Sequence, residues 1–434
     1  MSESNELWIK NELIPTILAE GKLSSKSLSD NDQLPVLKDV SVKCLTTSES
    51  FMLTLCYKVQ VVLEENGNEY KLFLVVKKTP SVPEEVYNGT GFDNLFSNEI
   101  AAYTATLPAL GDTSKYVKYY YSGRKKAEAF IVLGDFSVLG YKMSEKRYDL
   151  SLEHILLAVK LLGEFHGQGY GLKLSNPEKF KSVIGMIKQS KFLTDIPDTW
   201  TNILTQSTER FKNNINKSEL PKIIPQEFLD NLVNLMTDYV GLAKLVHKPV
   251  EPVSTICHGD YLRNNIAFKY SPTNPGVPTE VIMFDFQTIV YASPMVDLTT
   301  LLALSAGTDV RSDKFHVVFK AYWDTLIENV CKVGGMQVED VPEFLSYNSM
   351  VKEFIKYYPL GIRIATFFLM EMVEPIDYSP QDFIVDTKED IFNVETRGGK
   401  TVDKAIRSMI LELYNFTVEY KVDIFQHYEH LKNL

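Results

Sequence analysis

TICHGDYLRNNIAF, residues 255–268, and VIMFDFQ, residues 281–287, decide how the rest of the chain is read. Asp260 stands five residues before Asn265, and Asp285 closes the apolar run that follows. A D-x₄-N spacing on a tight loop lets both side chains face one cleft while the residues between them anchor the loop. Asp285 and Asn265 then offer oxygen to a hard divalent cation such as Mg²⁺, which takes one or two carboxylates and fills its shell with water and phosphate oxygens. Asp260 offers a carboxylate that can orient an attacking hydroxyl. Each piece alone is common, and outside this arrangement Asp260 would read as a turn cap. His258 reads as a hydrogen-bonder steadying the loop, and Asn264 as a residue of loop geometry. Asp297 reads as a helix-start or loop-anchoring residue rather than a third metal ligand.

Outward from this segment the chain changes character. From about Val42 to Leu133 it is strand-rich. FMLTLCYKVQVVLEENGNEYKLFLVVKK holds two apolar, partly alternating runs joined at residues 64–68, which predicts a β-hairpin. LFSNEIAAYTATL predicts a helix with Phe96, Glu99 and Tyr103 near one face, and AEAFIVLGDF another strand. SLEHILLAVKLLGEFHGQG begins a helix-rich half with Ser151 as its N-cap. Within it His166 reads as a packing residue, while Arg124-Lys125-Lys126 reads as a solvated turn between strands.

Composition narrows the function classes. The chain has 434 residues, which favours two lobes over one core. A net charge of −11 argues against a general nucleic-acid binder. Cys44, Cys56, Cys257 and Cys331 are scattered, so neither a zinc site nor a disulfide framework is expected. The N-terminus lacks the basic and apolar regions of a signal peptide, and the apolar stretches are short and broken by charges. A cytoplasmic protein with no membrane association is expected.

HGD-x₄-N, an apolar strand and DFQ, in that order, resemble the signature of aminoglycoside phosphotransferases and choline kinases, and beyond them the catalytic loop and DFG of protein kinases. The details resemble the ecdysteroid kinase-like family, which reads close to HGD-x-x-x-N-N-I, DFQ and S-P-x-x-D-L. These stand here from His258 to Ile266, from Asp285 to Gln287 and from Ser293 to Leu298. The family's V-K-x-x-P resembles Val76-Lys77-Lys78-Thr79-Pro80, and its F-x-x-E-x-x-x-Y-x-x-x-L-P matches Phe96, Glu99, Tyr103, Leu107 and Pro108. The resemblance runs from about residue 30 to about residue 420.

The resemblance implies an α+β chain with a two-lobed protein-kinase-like fold. A small β-rich N-lobe would occupy residues 1–134 and a large, mainly α-helical C-lobe residues 135–434. It further implies ATP and Mg²⁺ as cofactors. Asp260 becomes the catalytic carboxylate, and Asn265 and Asp285 the metal ligands. Lys77, with Lys78 as its rival, would contact the α- and β-phosphates and pair with Glu99. Leu133, Gly134, Asp135 and Phe136 would meet adenine, mainly through backbone groups. The phosphate loop would be residues 46–51, where Ser48 and Ser50 replace the usual glycines as donors. Gly134 also stands where the family commonly has glutamate.

Nine residues separate Gln287 from Asp297, too few for a peptide-binding activation segment. The expected acceptor is therefore a hydroxyl of a small molecule, such as an ecdysteroid, another lipophilic alcohol or a detoxified compound. Tyr357, Tyr358, Phe367, Phe368 and Tyr378 are candidates to line its pocket, and core packing accounts for them equally well. No obligate protein partner is implied. The rival reading is a catalytically degenerate kinase-like protein that binds a lipophilic ligand or partner, and the glycine-free loop is its main support.

Overall fold

The computed structural model describes residues 2–24, 34–45, 53–191, 198–376, 378 and 393–434. Two compact units emerge. One takes in Met1–Phe96 and Tyr116–Lys142, the other Ser97–Lys115, Met143–Ile376 and the C-terminal helices.

The first unit is built on a five-stranded antiparallel sheet in the order β1-β2-β3-β5-β4. Its strands are β1 (Val36–Cys44), β2 (Leu55–Glu65), β3 (Asn68–Lys78), β4 (Tyr119–Lys125) and β5 (Glu128–Gly134). β2 and β3 form the expected hairpin. Asn66 and Gly67 turn it with φ of 54° and 78°, the left-handed pair that matches the twist of the flanking strands. One sheet face carries Tyr57, Val59, Val61, Leu63, Leu74, Val76 and Val132. It packs against Ile9, Leu13, Ile14 and Ile17 of the N-terminal helical segment, Ser2–Ala19.

Strand alternation separates the two adjacent lysines of β3. Lys78 reaches toward the N-terminal helical segment, 3.4 Å from Glu128 and 5.6 Å from the centre of the Trp8 ring. Lys77 therefore projects from the opposite face, with Phe73 and Val75.

The second unit is mostly helical. Helix Leu152–Ser175 crosses helix Phe315–Gly334 closely. A side chain at Gly163 would strike the Tyr322 carbonyl, and one at Gly167 the Leu326 carbonyl. Glycine at these two positions is what the close approach requires, and it brings His166 within reach of Tyr322. Ser151 does occupy the N-cap position, but its hydroxyl bonds His154 Nδ1 at 2.8 Å instead of a helix amide. Two short two-stranded sheets interrupt the helices. β6 (Thr255–Cys257) pairs with β9 (Val290–Ala292), and β7 (Ile266–Tyr270) with β8 (Pro278–Met283), all antiparallel.

The division differs from a boundary at residue 134. Phe136–Leu139 forms a short 3₁₀ turn that stays with the sheet, while Ser97–Lys115 joins the helical unit. Contacts of Asn98 and Tyr103, described below, explain the latter. The predicted helix at residues 95–107 begins at Phe92 and changes to π-helical winding over Ala102–Thr106, which the apolar periodicity does not reveal. Among the described residues, no helix is long and apolar enough to cross a membrane.

Candidate active site

β6 delivers the chain into the loop His258–Leu262, which a 3₁₀ turn at Arg263–Asn265 closes before β7 begins. The loop is held from below by Asp297, a fully buried carboxylate in the first turn of helix Met295–Ser305. Asp297 Oδ2 accepts from the His258 amide at 2.6 Å, and Oδ1 from the Gly259 amide at 2.7 Å. His166 Nε2 meets Oδ2 at 3.0 Å, and His166 Nδ1 meets the Tyr322 hydroxyl at 2.9 Å. Gly259 has φ of 83°, and a Cβ there would collide with the Thr288 carbonyl. Only glycine suits both conditions.

His258 is wholly engaged in structure. Its Nε2 donates to the Phe284 carbonyl at 2.9 Å, and its Nδ1 accepts from the Asp260 amide at 3.3 Å. Those partners specify the Nε2–H tautomer. The ring thereby ties the loop to the segment just after β8 that carries Asp285. His166, Cys257 and Asp297 place three ligand-type atoms within 4.8 Å of one another. Their atoms are already bonded, with the Cys257 thiol on the Ala292 and Ser293 carbonyls, so the cluster serves as an anchor.

Above this anchor lie the three residues of the sequence motif. Asn265 Nδ2 donates to the Asp260 carbonyl at 2.7 Å and to Asp260 Oδ2 at 2.9 Å. That orientation turns the Asn265 amide oxygen away from Asp260, as a metal ligand requires. Burial pushes the Asp260 carboxyl above the usual carboxylate range, against the pull of the Lys191 ammonium, and the Asp285 carboxylate adds to the rise. Asp285 itself has φ of 66°, a left-handed conformation that costs a non-glycine residue about 1–2 kcal/mol. The neighbouring Phe286 is fully buried and explains how that backbone is held. Its ring packs against His258 at 4.8 Å, Tyr103 at 5.5 Å and Phe165 at 6.0 Å. One amide oxygen and one carboxylate form a hard donor set that fits Mg²⁺ and leaves positions for water and phosphate.

Two residues that the sequence did not single out complete the site. Asn98, fully buried beside Glu99, receives the Lys188 amide at 2.7 Å. Its Nδ2 donates to the Lys188 carbonyl at 2.9 Å and to the Gln287 carbonyl at 3.2 Å. This one side chain pins residues 188–190 to the segment after Asp285. The pinned segment leads to Lys191, whose Nζ donates to the Gly259 carbonyl beside Asp260. Burial lowers the Lys191 ammonium, while Asp260 and Asp297 oppose that shift. Nothing in the spacing of a lone lysine some seventy residues upstream marks it in advance.

The other expected residues fall as follows. Lys77 is buried in the sheet unit, and Glu99 is buried in the helical unit. The Gly134 amide donates to the Lys118 carbonyl at 2.8 Å and the Asp135 amide to the Phe73 carbonyl at 2.9 Å. The N–H groups of Gly134 and Asp135 are thus spent inside the sheet. The Asp135 carboxylate accepts from the Ser137 amide at 2.8 Å and lies 3.2 Å from Lys58 Nζ. Leu133 is a buried residue of β5, and Phe136 starts the 3₁₀ turn. Ser48 and Ser50 lie outside the described residues. Tyr357 and Tyr358 are 0% and 1% exposed and belong to the core, whereas Phe367 is half-buried against Tyr239 at 5.4 Å.

The antiparallel sheet unit and the mostly helical unit are those of a kinase-like fold. The chain belongs to the ecdysteroid kinase-like family, whose model matches residues 48–335. Among solved structures it is similar to an aminoglycoside-3'-phosphotransferase of type VIII, at 13% identity and a TM-score of 0.28, over 70% of this chain and 88% of that one. It is also similar to aminoglycoside phosphotransferase APH(3'')-Id from Streptomyces rimosus, in complex with ADP and streptomycin. That match has 12% identity and a TM-score of 0.27, over 70% of this chain and 90% of the other. No curated protein sequence matches the chain.

Proposed function

We propose that this protein transfers the γ-phosphate of ATP to a hydroxyl of a small lipophilic alcohol, an ecdysteroid or a detoxified compound being the acceptor class its family points to. The hydrogen-bonded pair Asp260–Asn265, on a loop clamped by Asp297 and followed by Asp285, carries the reading. In it Asp260 Oδ1 receives the acceptor hydroxyl, because Oδ2 is held by Asn265. Asn265 and Asp285 hold Mg²⁺, which when bound neutralises charge on the phosphates. Lys77 takes the α- and β-phosphates with Glu99 as its partner. Residues 133–136 face adenine, and Ser48 and Ser50 supply donors to the phosphates. A cytoplasmic location goes with ATP as donor.

The test is the rise in melting temperature with ATP, with and without Mg²⁺, followed by ADP release in the presence of steroid and other alcohols. A Mg²⁺-dependent rise that disappears in Asp285→Ala supports the reading. A second reading, a kinase-like binder that transfers nothing, draws on the spent amides of Gly134 and Asp135 and on the glycine-free phosphate loop. It expects no Mg²⁺-dependent rise at millimolar nucleotide.

A further inference from the structure

The direction in which the Asp260 side chain leaves its loop depends on the two peptide units that flank it. A peptide unit is planar, so holding its polar atoms fixes the orientation of the whole unit. The unit after Asp260 is held through its carbonyl, which accepts from Asn265 Nδ2 at 2.7 Å. The unit before it is held at both ends. Its N–H, on Asp260, donates to His258 Nδ1 at 3.3 Å, a partner within the loop. Its carbonyl, on Gly259, accepts from Lys191 Nζ, which arrives from outside the loop. An ammonium donor makes that bond charge-assisted and stronger than a neutral one.

A lysine reaches its partner on a flexible four-carbon stem, so it positions a backbone only if its own backbone is fixed. Asn98 supplies that fix. Its Oδ1 accepts from the Lys188 amide at 2.7 Å. Its Nδ2 donates to the Lys188 carbonyl at 2.9 Å, the Ser190 hydroxyl at 3.1 Å and the Gln287 carbonyl at 3.2 Å. The Ser190 hydroxyl also points to the Gln287 carbonyl, at 3.5 Å. Asn98 is 0% exposed, so removing its amide strands the Lys188 amide and carbonyl where water does not replace them. Gln287 stands two residues after Asp285, and Asn98 stands beside Glu99 in helix Phe92–Ala101. One buried amide thus joins three segments that are far apart in sequence, and the middle one ends in the lysine that holds Gly259.

We infer that Asn98 and Lys191 are positioning residues for the proposed transfer: Asn98 fixes residues 188–190, and Lys191 carries that fix to the peptide that directs Asp260. This rests on the phosphotransferase reading. Neither residue is asked to touch substrate.

The experiment uses the full chain. Lys191→Met removes the ammonium at similar length, Lys191→Arg keeps a charged donor, and Asn98→Ala removes the amide. Hydrogen exchange without ligand comes first, read at residues 256–262 against helix Phe315–Gly334 as an internal reference. Lys191→Met and Asn98→Ala are each expected to speed exchange in the loop and leave the reference helix unchanged. ADP release from Mg·ATP, with an ecdysteroid or water as acceptor, then gives kcat and the KM for ATP. Both variants should lower kcat roughly tenfold to a hundredfold with KM kept, the cost of a small misplacement of a reacting group. The double variant should lose no more than the worse single one, since both act through one chain of contacts, and Lys191→Arg should retain most of the rate. Unchanged loop exchange or unchanged kcat in Lys191→Met, or losses that multiply in the double variant, overturns the inference. So does an Asn98→Ala protein that is loosened throughout, reference helix included, with kcat intact, because Asn98 then serves packing alone. If Asn98→Ala does not fold, Lys191→Met and its Lys191→Arg rescue decide. A wild type that releases no ADP with either acceptor is the separate failure of the phosphotransferase reading, and the inference falls with it.

Discussion

The two sides of the loop at residues 258–265 are built on opposite rules. Below it, Asp297, His166, His258 and Tyr322 form a closed hydrogen-bonded set in which each named donor meets an acceptor. Above it, Asp260, Asp285 and Lys191 bring charges together, and burial pushes Asp260 toward its neutral form. The lower side trades interactions within the protein and fixes the backbone. The upper side holds charge in reserve for something that arrives. Position on the loop therefore separates residues whose loss should unfold the site from residues whose loss should silence it.

The largest effect should come from the upper side. Asp285→Ala should lower phosphate transfer on the order of a thousandfold or more and abolish the Mg²⁺-dependent melting shift, while the unliganded melting temperature holds. Loss of the unliganded fold in that variant would erase the contrast. Asp260→Asn should lower kcat by roughly 10²–10⁴ with nucleotide affinity kept, as read by steady-state kinetics beside a binding titration. A fully active Asp260→Asn enzyme would remove Asp260 from the chemistry.

On the lower side, Asp297→Ala strands two buried amides and His166. Denaturant unfolding should show a loss of about 3–5 kcal/mol, with activity falling only as the loop loosens. The smallest effect is a pH dependence. Burial would raise the Asp297 pKa, but the hydrogen bond from His166 and the Gly259 amide outweigh it and hold the carboxyl below its usual range. Its contribution to stability is therefore complete above the ordinary carboxylate pKa of about 3.9 and is lost as pH falls through the lower folded value. Urea midpoints measured from about pH 5 downward should fall less steeply in Asp297→Asn than in the wild type.

Most of this arrangement was legible wherever chemistry and chain order coincide. The hairpin at Asn66-Gly67, the strand before Asp285 and the loop role of Asp297 follow from turn chemistry, alternation and spacing. What escaped depends on tertiary neighbours. Asn98 and Lys191 matter because a buried amide pins residues 188–190 beside Gln287, a pairing of elements far apart in sequence. The glycines at 163 and 167 look like helix weakeners until the facing carbonyls of Tyr322 and Leu326 are seen. Tyr357 and Tyr358 show the reverse case, since an aromatic stripe reads alike whether it lines a pocket or fills a core.

The backbone of Asp285 has one evolutionary consequence. At φ of 66° a glycine would sit more comfortably than the aspartate, so replacing the proposed metal-binding carboxylate by glycine would relax the local backbone while removing that carboxylate. On the proposed function, an aspartate in this backbone conformation is one that phosphate transfer, rather than local backbone comfort, would keep in place.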